Sequence, residues 1–159
     1  MEENATVRLR QVNLVVGAMG EAVGFYRLLG VDLPDPYEWP LGSGAEHVQP
    51  EPHRDGGASI ELDNPEMAAL YAPGLSPGAV IIGFELASSE AVDETYSRLA
   101  AAGHRWLLPP FDAFWGARYA IVEDPQGNRV GLMGPVDPDR RYVPGEDRPG
   151  SGVEEPEQG

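Results

Sequence analysis

Few side chains in this sequence carry reactive chemistry, and their types narrow that chemistry at once. There is no cysteine, which removes disulfides, thiolate nucleophiles and cysteine-based zinc sites together. All 11 basic residues are arginine, so a Schiff-base lysine is excluded. The three histidines, His47, His53 and His104, form neither an H-x-H nor an H-E-x-x-H spacing. They read as surface or edge residues, with His47 kept as a candidate pocket residue. Ser43 in "PLGSGAE" lacks the G-x-S-x-G elbow and its strand–turn–helix setting, and no Walker or Rossmann glycine pattern occurs.

What remains is aromatic surface. Trp39, Trp106, Phe111, Phe114, Trp115 and Tyr119 lie in or beside strand-like runs and include all three tryptophans. Tyr119 and Trp106 also fit simple core packing. Trp39 in "PYEWPLG" and Trp115 in "DAFWGAR" sit beside proline or glycine in loop-like contexts, where a large ring is not easily buried. Aromatic faces supply rigid area for stacking flat ligands and attract cations. Trp39, Trp106, Phe114 and Trp115 are therefore the candidate ligand-stacking residues.

The elements that must position these rings are built twice. "VRLRQVNLVV" (7–16) has the pattern of a strand and "GEAVGFYRLLG" (20–30) that of a helix, with Ala22, Phe25, Tyr26 and Leu29 on one face and Gly30 as its left-handed end. About 70 residues on, "AVIIGFEL" (79–86) is strand-like again. "SSEAVDETYSRLAAAG" (88–103) is a second helix, capped by Ser88 or Ser89, with the face Val92, Thr95, Tyr96 and Leu99. Strand candidates follow each helix: 31–39, 45–50 and 58–63, then 104–109, 118–124 and 128–134. Each half thus has the order βαβββ, and such a repeat predicts two similar facing sheets. Module one spans 7–64 and module two 79–135, within one domain of residues 1–136. From Asp137 the pattern gives way to a Pro/Gly-rich acidic tail, 137–159, expected to be mobile. The tail carries a net charge of −4, so −11 of the total −15 belongs to the body.

That acidity repels nucleic acid and anionic membrane, and suits solubility and cationic ligands. No apolar run approaches the ~20 residues of a membrane span. The start, "MEENATVRLR", does not read as a secretory signal, and the expected location is the cytoplasm.

The paired βαβββ pattern, the helix "EAVGFYRLLG" and the late turn "WGARYAIVEDPQGNRVGL" together resemble the vicinal oxygen chelate superfamily, the glyoxalase / bleomycin-resistance / extradiol-dioxygenase group. The resemblance covers about residues 7–135. It implies an α+β fold in which two βαβββ modules form a cupped mixed sheet with the site inside. Members often form homodimers, exchanging modules so that each pocket draws on both chains. Metal-dependent members present four ligands from four strands. Those positions fall here on Asn13, Glu61, a residue near Ile81 (with Glu85 reachable by a register slip) and Gly131. One carboxylate, one amide, one aliphatic side chain and one glycine make a poor divalent-ion site. The expectation is therefore no metal and no cofactor, and an empty position at Gly131 that leaves room in the cup for something larger. Asn13 and Glu61 would point into the cup, Glu61 as a general base with a raised pKa or a counter-ion. The expected function is a metal-free protein of bleomycin-resistance type that sequesters or carries an aromatic, cationic small molecule. Its alternative is a lyase, isomerase or metal-independent enzyme using Glu61 or His47 for proton transfer.

Overall fold

The computed structural model describes residues 7–146. Its elements run β1 (Arg8–Val15), α1 (Met19–Leu29), β2 (Tyr37–Glu38), β3 (Glu46–Val48), β4 (Ser59–Asp63), α2 (Pro65–Tyr71), β5 (Val80–Glu85), α3 (Ser89–Ala101), β6 (Trp106–Asp112), β7 (Arg118–Glu123) and β8 (Arg129–Met133), then a single 3₁₀ turn at Pro138–Arg140. The eight strands form one sheet ordered β2-β3-β4-β1-β5-β8-β7-β6. Each module has the same plan: its first strand pairs parallel with its last, β1 with β4 and β5 with β8. The two modules join through antiparallel pairing of β1 with β5. The fold is α+β, as expected from the repeat.

Strand alternation sorts side chains into three apolar clusters. On the convex side, Met19 and Val23 of α1 pack on Leu33, Val48 and Leu62. Val92 of α3 packs on Leu86, Ala120, Val122 and Leu132. On the concave side Val15, Ile81, Tyr119 and Ile121 meet Met67, Ala68 and Tyr71 of α2, together with Phe114. Helices α1 and α3 thus hold the two half-sheets from behind, while α2 lies on the inner side and lines the site with Met67 and Tyr71.

Three local details depart from the sequence reading. The buried face of α1 is Met19–Val23, flanked by Ala22 and Tyr26, whereas Phe25 and Leu29 are 63% and 69% exposed. The helix is apolar nearly all round, so more than one stripe satisfies the i, i+3, i+4 rule, and contact with the sheet selects among them. Helix α2 lies in the link between modules, where no element was expected. Its start is encoded locally: the Asn64 side chain accepts from the Met67 N–H at 2.9 Å, and Pro65 occupies the first helical turn. Finally, residues 137–142, expected to open the tail, contact the body. Tyr142 N–H donates to the Phe114 carbonyl at 3.0 Å and its hydroxyl to the Asp112 carbonyl at 2.7 Å, binding this stretch to the body. The rest of the expected tail, from residue 147, lies outside the described residues.

Candidate functional site

The concave face holds a cavity of about 440 Å³ to which both modules of one chain contribute: Asn13, Trp39, His47 and Glu61 from the first, Phe114, Trp115, Tyr119 and Met133 from the second. Its polar floor follows from strand register. β1 and β4 run side by side with Asn13 opposite Glu61 and Val15 opposite Asp63. Leu14 and Leu62 pack beneath α1, so the alternate residues Gln11, Asn13, Glu61 and Asp63 face the cup. On the other side of β4, His47 stands directly opposite Asp63.

Asp63 is the hub of this floor. It is 1% exposed and accepts three side-chain hydrogen bonds: from His47 Nδ1, from the Tyr71 hydroxyl at 2.7 Å and from Asn13 Nδ2 at 3.1 Å. Asn13 Oδ1 in turn accepts from Gln11 Nε2 at 2.8 Å. A buried carboxylate needs such donors, because desolvation without them costs several kcal/mol. Burial pulls the His47 pKa down, but the hydrogen bond and charge of Asp63 outweigh it and hold His47 above its ordinary value. Glu61 is raised too, but here burial is the cause. Burial pushes it up to about 7, with the Asp63 charge adding to the rise and His47, Arg10 and Asn13 opposing it. Burial also raises Tyr37, Tyr71 and Tyr119, so all three phenols stay protonated. The floor therefore holds a carboxyl that can exchange its proton near neutral pH and an imidazole oriented by a buried carboxylate, two groups suited to proton transfer.

The walls are aromatic. Trp39 and Phe114 stack with ring centroids 5.2 Å apart and planes at 24°. Trp115 packs edge-on against Phe114 at 5.0 Å, Tyr119 at 5.1 Å and Tyr71 at 5.7 Å. Both wall tryptophans come from tight turns. The Trp39 N–H donates to the Ala45 carbonyl at 3.0 Å, closing a loop between β2 and β3. Trp115 precedes Gly116, which has a φ of 95°; a side chain there would strike the Asp137 carbonyl. Only glycine admits both that conformation and the close approach of the C-terminal stretch.

Six of the seven residues singled out from the sequence line this cavity: Asn13, Trp39, His47, Glu61, Phe114 and Trp115. Trp106 does not. It sits on the edge strand β6, 53% exposed, with its ring against Tyr96 of α3 on the convex side. Alternation along β6, broken by bulges after Trp106 and Leu108, turns it away from the cup. His53 and His104 are exposed. Sequence reasoning missed Asp63, Tyr71, Arg10 and Arg141. Asp63 carried a usable signal, two residues past Glu61 on the same strand face. Tyr71 rides on the unforeseen α2, and Arg141 on the stretch assigned to the tail.

The residues present do not fit the divalent ion that the fold's metalloenzymes hold. The Asn13 amide is engaged on both sides, by Gln11 and Asp63. Ile81 is aliphatic and 1% exposed. Glu85, the register-slip alternative, bonds Arg8 at 3.1 Å. At Gly131, a methyl group would stand 2.9 Å from the Tyr119 hydroxyl and 3.3 Å from the Ile81 side chain. The position is therefore not free space for a ligand, as the sequence suggested; the Tyr119 phenol already fills it. Among the described residues, no group of three His, Asp or Glu is arranged to hold a metal ion.

The architecture matches solved structures. Methylmalonyl-CoA epimerase from Streptomyces coelicolor, in complex with 2-nitronate-propionyl-CoA, superposes with a TM-score of 0.58 at 21% identity, over 84% of this chain and 100% of that one. Methylmalonyl-CoA epimerase from Mycobacterium tuberculosis gives 0.57 at 20% identity, over 86% and 94%. A hypothetical protein from Bacillus halodurans C-125 gives 0.56 at 16% identity, over 83% and 96%. At these identities the likeness is one of fold. None of the curated proteins matches the chain in sequence. Residues 8–132, from the first strand of module one to the last of module two, match the model of one family, and the chain belongs to the Glyoxalase/Bleomycin resistance protein/Dioxygenase superfamily.

Proposed function

We propose that this protein is a small-molecule-binding member of its superfamily, holding a flat aromatic ligand in the cup. The observation that supports this most directly is the cavity of about 440 Å³ walled by Trp39, Phe114, Trp115 and Tyr119. Pockets of this size bury most of a drug-sized molecule, and aromatic walls suit planar guests. Sequestration or carriage requires only affinity, so the absence of a fitting metal set is no obstacle. Quenching of intrinsic tryptophan fluorescence by aromatic natural products tests the reading. Saturable quenching that Trp39→Ala weakens and Trp106→Ala leaves intact supports it; quenching that Trp39→Ala leaves unchanged argues against it.

One observation favours a second reading, a metal-independent enzyme of proton transfer. Glu61 and His47 both face the cup, Glu61 with a pKa of about 7 and His47 oriented by Asp63. Two such groups could abstract and return a proton at an acidic carbon. Solvent-deuterium incorporation into methylmalonyl-CoA, chosen because the fold neighbours are epimerases of that compound, measures it. Incorporation abolished by Glu61→Gln would move the protein from carrier to enzyme.

A further inference from the structure

We propose that the cup recognises an anionic group on its ligand through Arg10 and Arg141, so that the guest is an aromatic acid and not the cation that the net charge suggests. The inference rests on the cup-binding reading and adds the charge of the guest. Arg10 owes its direction to a bulge. The β1–β5 register passes from Leu9 opposite Phe84 to Gln11 opposite Gly83, leaving Arg10 as the extra residue. Bulges of this kind re-aim a side chain, and Arg10 and the next residue, Gln11, both line the cavity. Its ion-pair partner, Glu85, is 3.9 Å away and is held more closely by Arg8 at 3.1 Å. Arg141 arrives from the other side, on the C-terminal stretch. Its Nε donates to the Trp115 carbonyl at 3.3 Å, which sets the guanidinium beside the aromatic wall. Among the described residues Arg141 takes part in no ion pair.

The acids of the cup do not cancel these charges. Asp63 is consumed by His47, Tyr71 and Asn13. Glu61 is buried and holds its proton up to near neutral pH. The charges of Arg10 and Arg141 are felt inside the cup, the first at Glu61 and the second at Tyr37. A chain of net charge −15 thus directs two guanidinium groups at the cup. Guanidinium presents a planar fork of donors suited to carboxylate, sulfonate or phosphate oxygens, and such charge-assisted bonds are roughly twice as strong as neutral ones.

Two fluorescent probes of one skeleton test the inference: 8-anilinonaphthalene-1-sulfonate, an anion, and N-phenyl-1-naphthylamine, its neutral counterpart. The full chain should bind the sulfonate about tenfold more tightly, a difference of roughly 1.4 kcal/mol. Arg10→Gln and Arg141→Gln should each remove most of that preference while leaving the neutral probe within about twofold, and Trp39→Ala should weaken both probes, placing them in the cup. Equal affinity for the two probes, or arginine variants that weaken both alike, would overturn the anion site while leaving the cup-binding reading standing. Saturable binding of neither probe would overturn both.

Discussion

The Tyr119 phenol lies over Gly131, so close that a methyl group at position 131 would stand 2.9 Å from its hydroxyl oxygen. The two residues sit on neighbouring strands, where β7 pairs antiparallel with β8 and Ile121 is opposite Gly131. Tyr119 therefore reaches diagonally across the ladder into space that glycine leaves open. The missing side chain and the large one are a single packing solution, and together they close the place where a fourth metal ligand would have to stand.

This pairing predicts a measurable coupling. Gly131→Ala should destabilise the protein by about 1–3 kcal/mol through overpacking, less any gain from removing a strand glycine. Tyr119→Phe removes the atom in closest approach, so the same glycine substitution should cost less in that background. Urea unfolding of the four proteins in a double-mutant cycle measures the difference. Additive effects would show that the contact carries no energy.

The floor network predicts a dependence on Asp63. Asp63→Asn leaves His47, Tyr71 and Asn13 around a neutral acceptor and breaks a buried charge pair, which should cost about 3 kcal/mol. The His47 pKa should fall at the same time, because the two largest interactions that raise it, ahead of those from Glu61 and Gln49, come from Asp63. Ring-proton NMR titration reads that shift directly. A His47 pKa unchanged by the substitution would exclude Asp63 as its orienting partner.

Glu61 predicts a slope of stability with pH. Its pKa lies near 7 in the folded protein, above the 4.5 of a free side chain, so the folded state holds the extra proton between those values. Stability from this group is present below the unfolded value and is lost as pH rises through 7, by an amount on the order of 3 kcal/mol. His47, also raised, acts in the same direction. Glu61→Gln should flatten the decline and leave the variant more stable than the parent at pH 8, as measured by urea midpoints at pH 5 and pH 8. An identical pH profile for the two proteins would refute the assignment.

The C-terminal stretch predicts the effect of removing a hydrogen bond. Tyr142→Phe removes the bond from its hydroxyl to the Asp112 carbonyl and should cost about 1 kcal/mol. Because the same stretch carries Arg141 to the cup, the variant should also weaken sulfonate binding more than binding of the neutral probe. Thermal unfolding and the two-probe titration report the two effects separately. Parity between the probes in the variant and the parent would leave Tyr142 a purely structural contact.

Local chemistry made much of this protein legible from its residues alone. Ser88 and Gly30 mark helix ends through side-chain acceptance and left-handed backbone, and the doubled strand–helix order is itself the signature of two modules. Alternation on β1 and β4 was enough to bring Asn13 and Glu61 to one face, and the loop contexts of Trp39 and Trp115 marked them as wall residues. Where several local solutions were equal, tertiary contact decided. The all-round apolar α1 buries Met19 and Val23 because that stripe meets Leu62 and Val48. Trp106 turns away because bulges reset the alternation of β6. The meaning of Gly131 depended on Tyr119, twelve residues earlier in the chain and one strand away in space. The charge of the cup depended on a bulge that re-aims Arg10 and on a terminal stretch that carries Arg141 back to the wall. Composition records the sum of charges, but a ligand meets only the few that the fold turns inward.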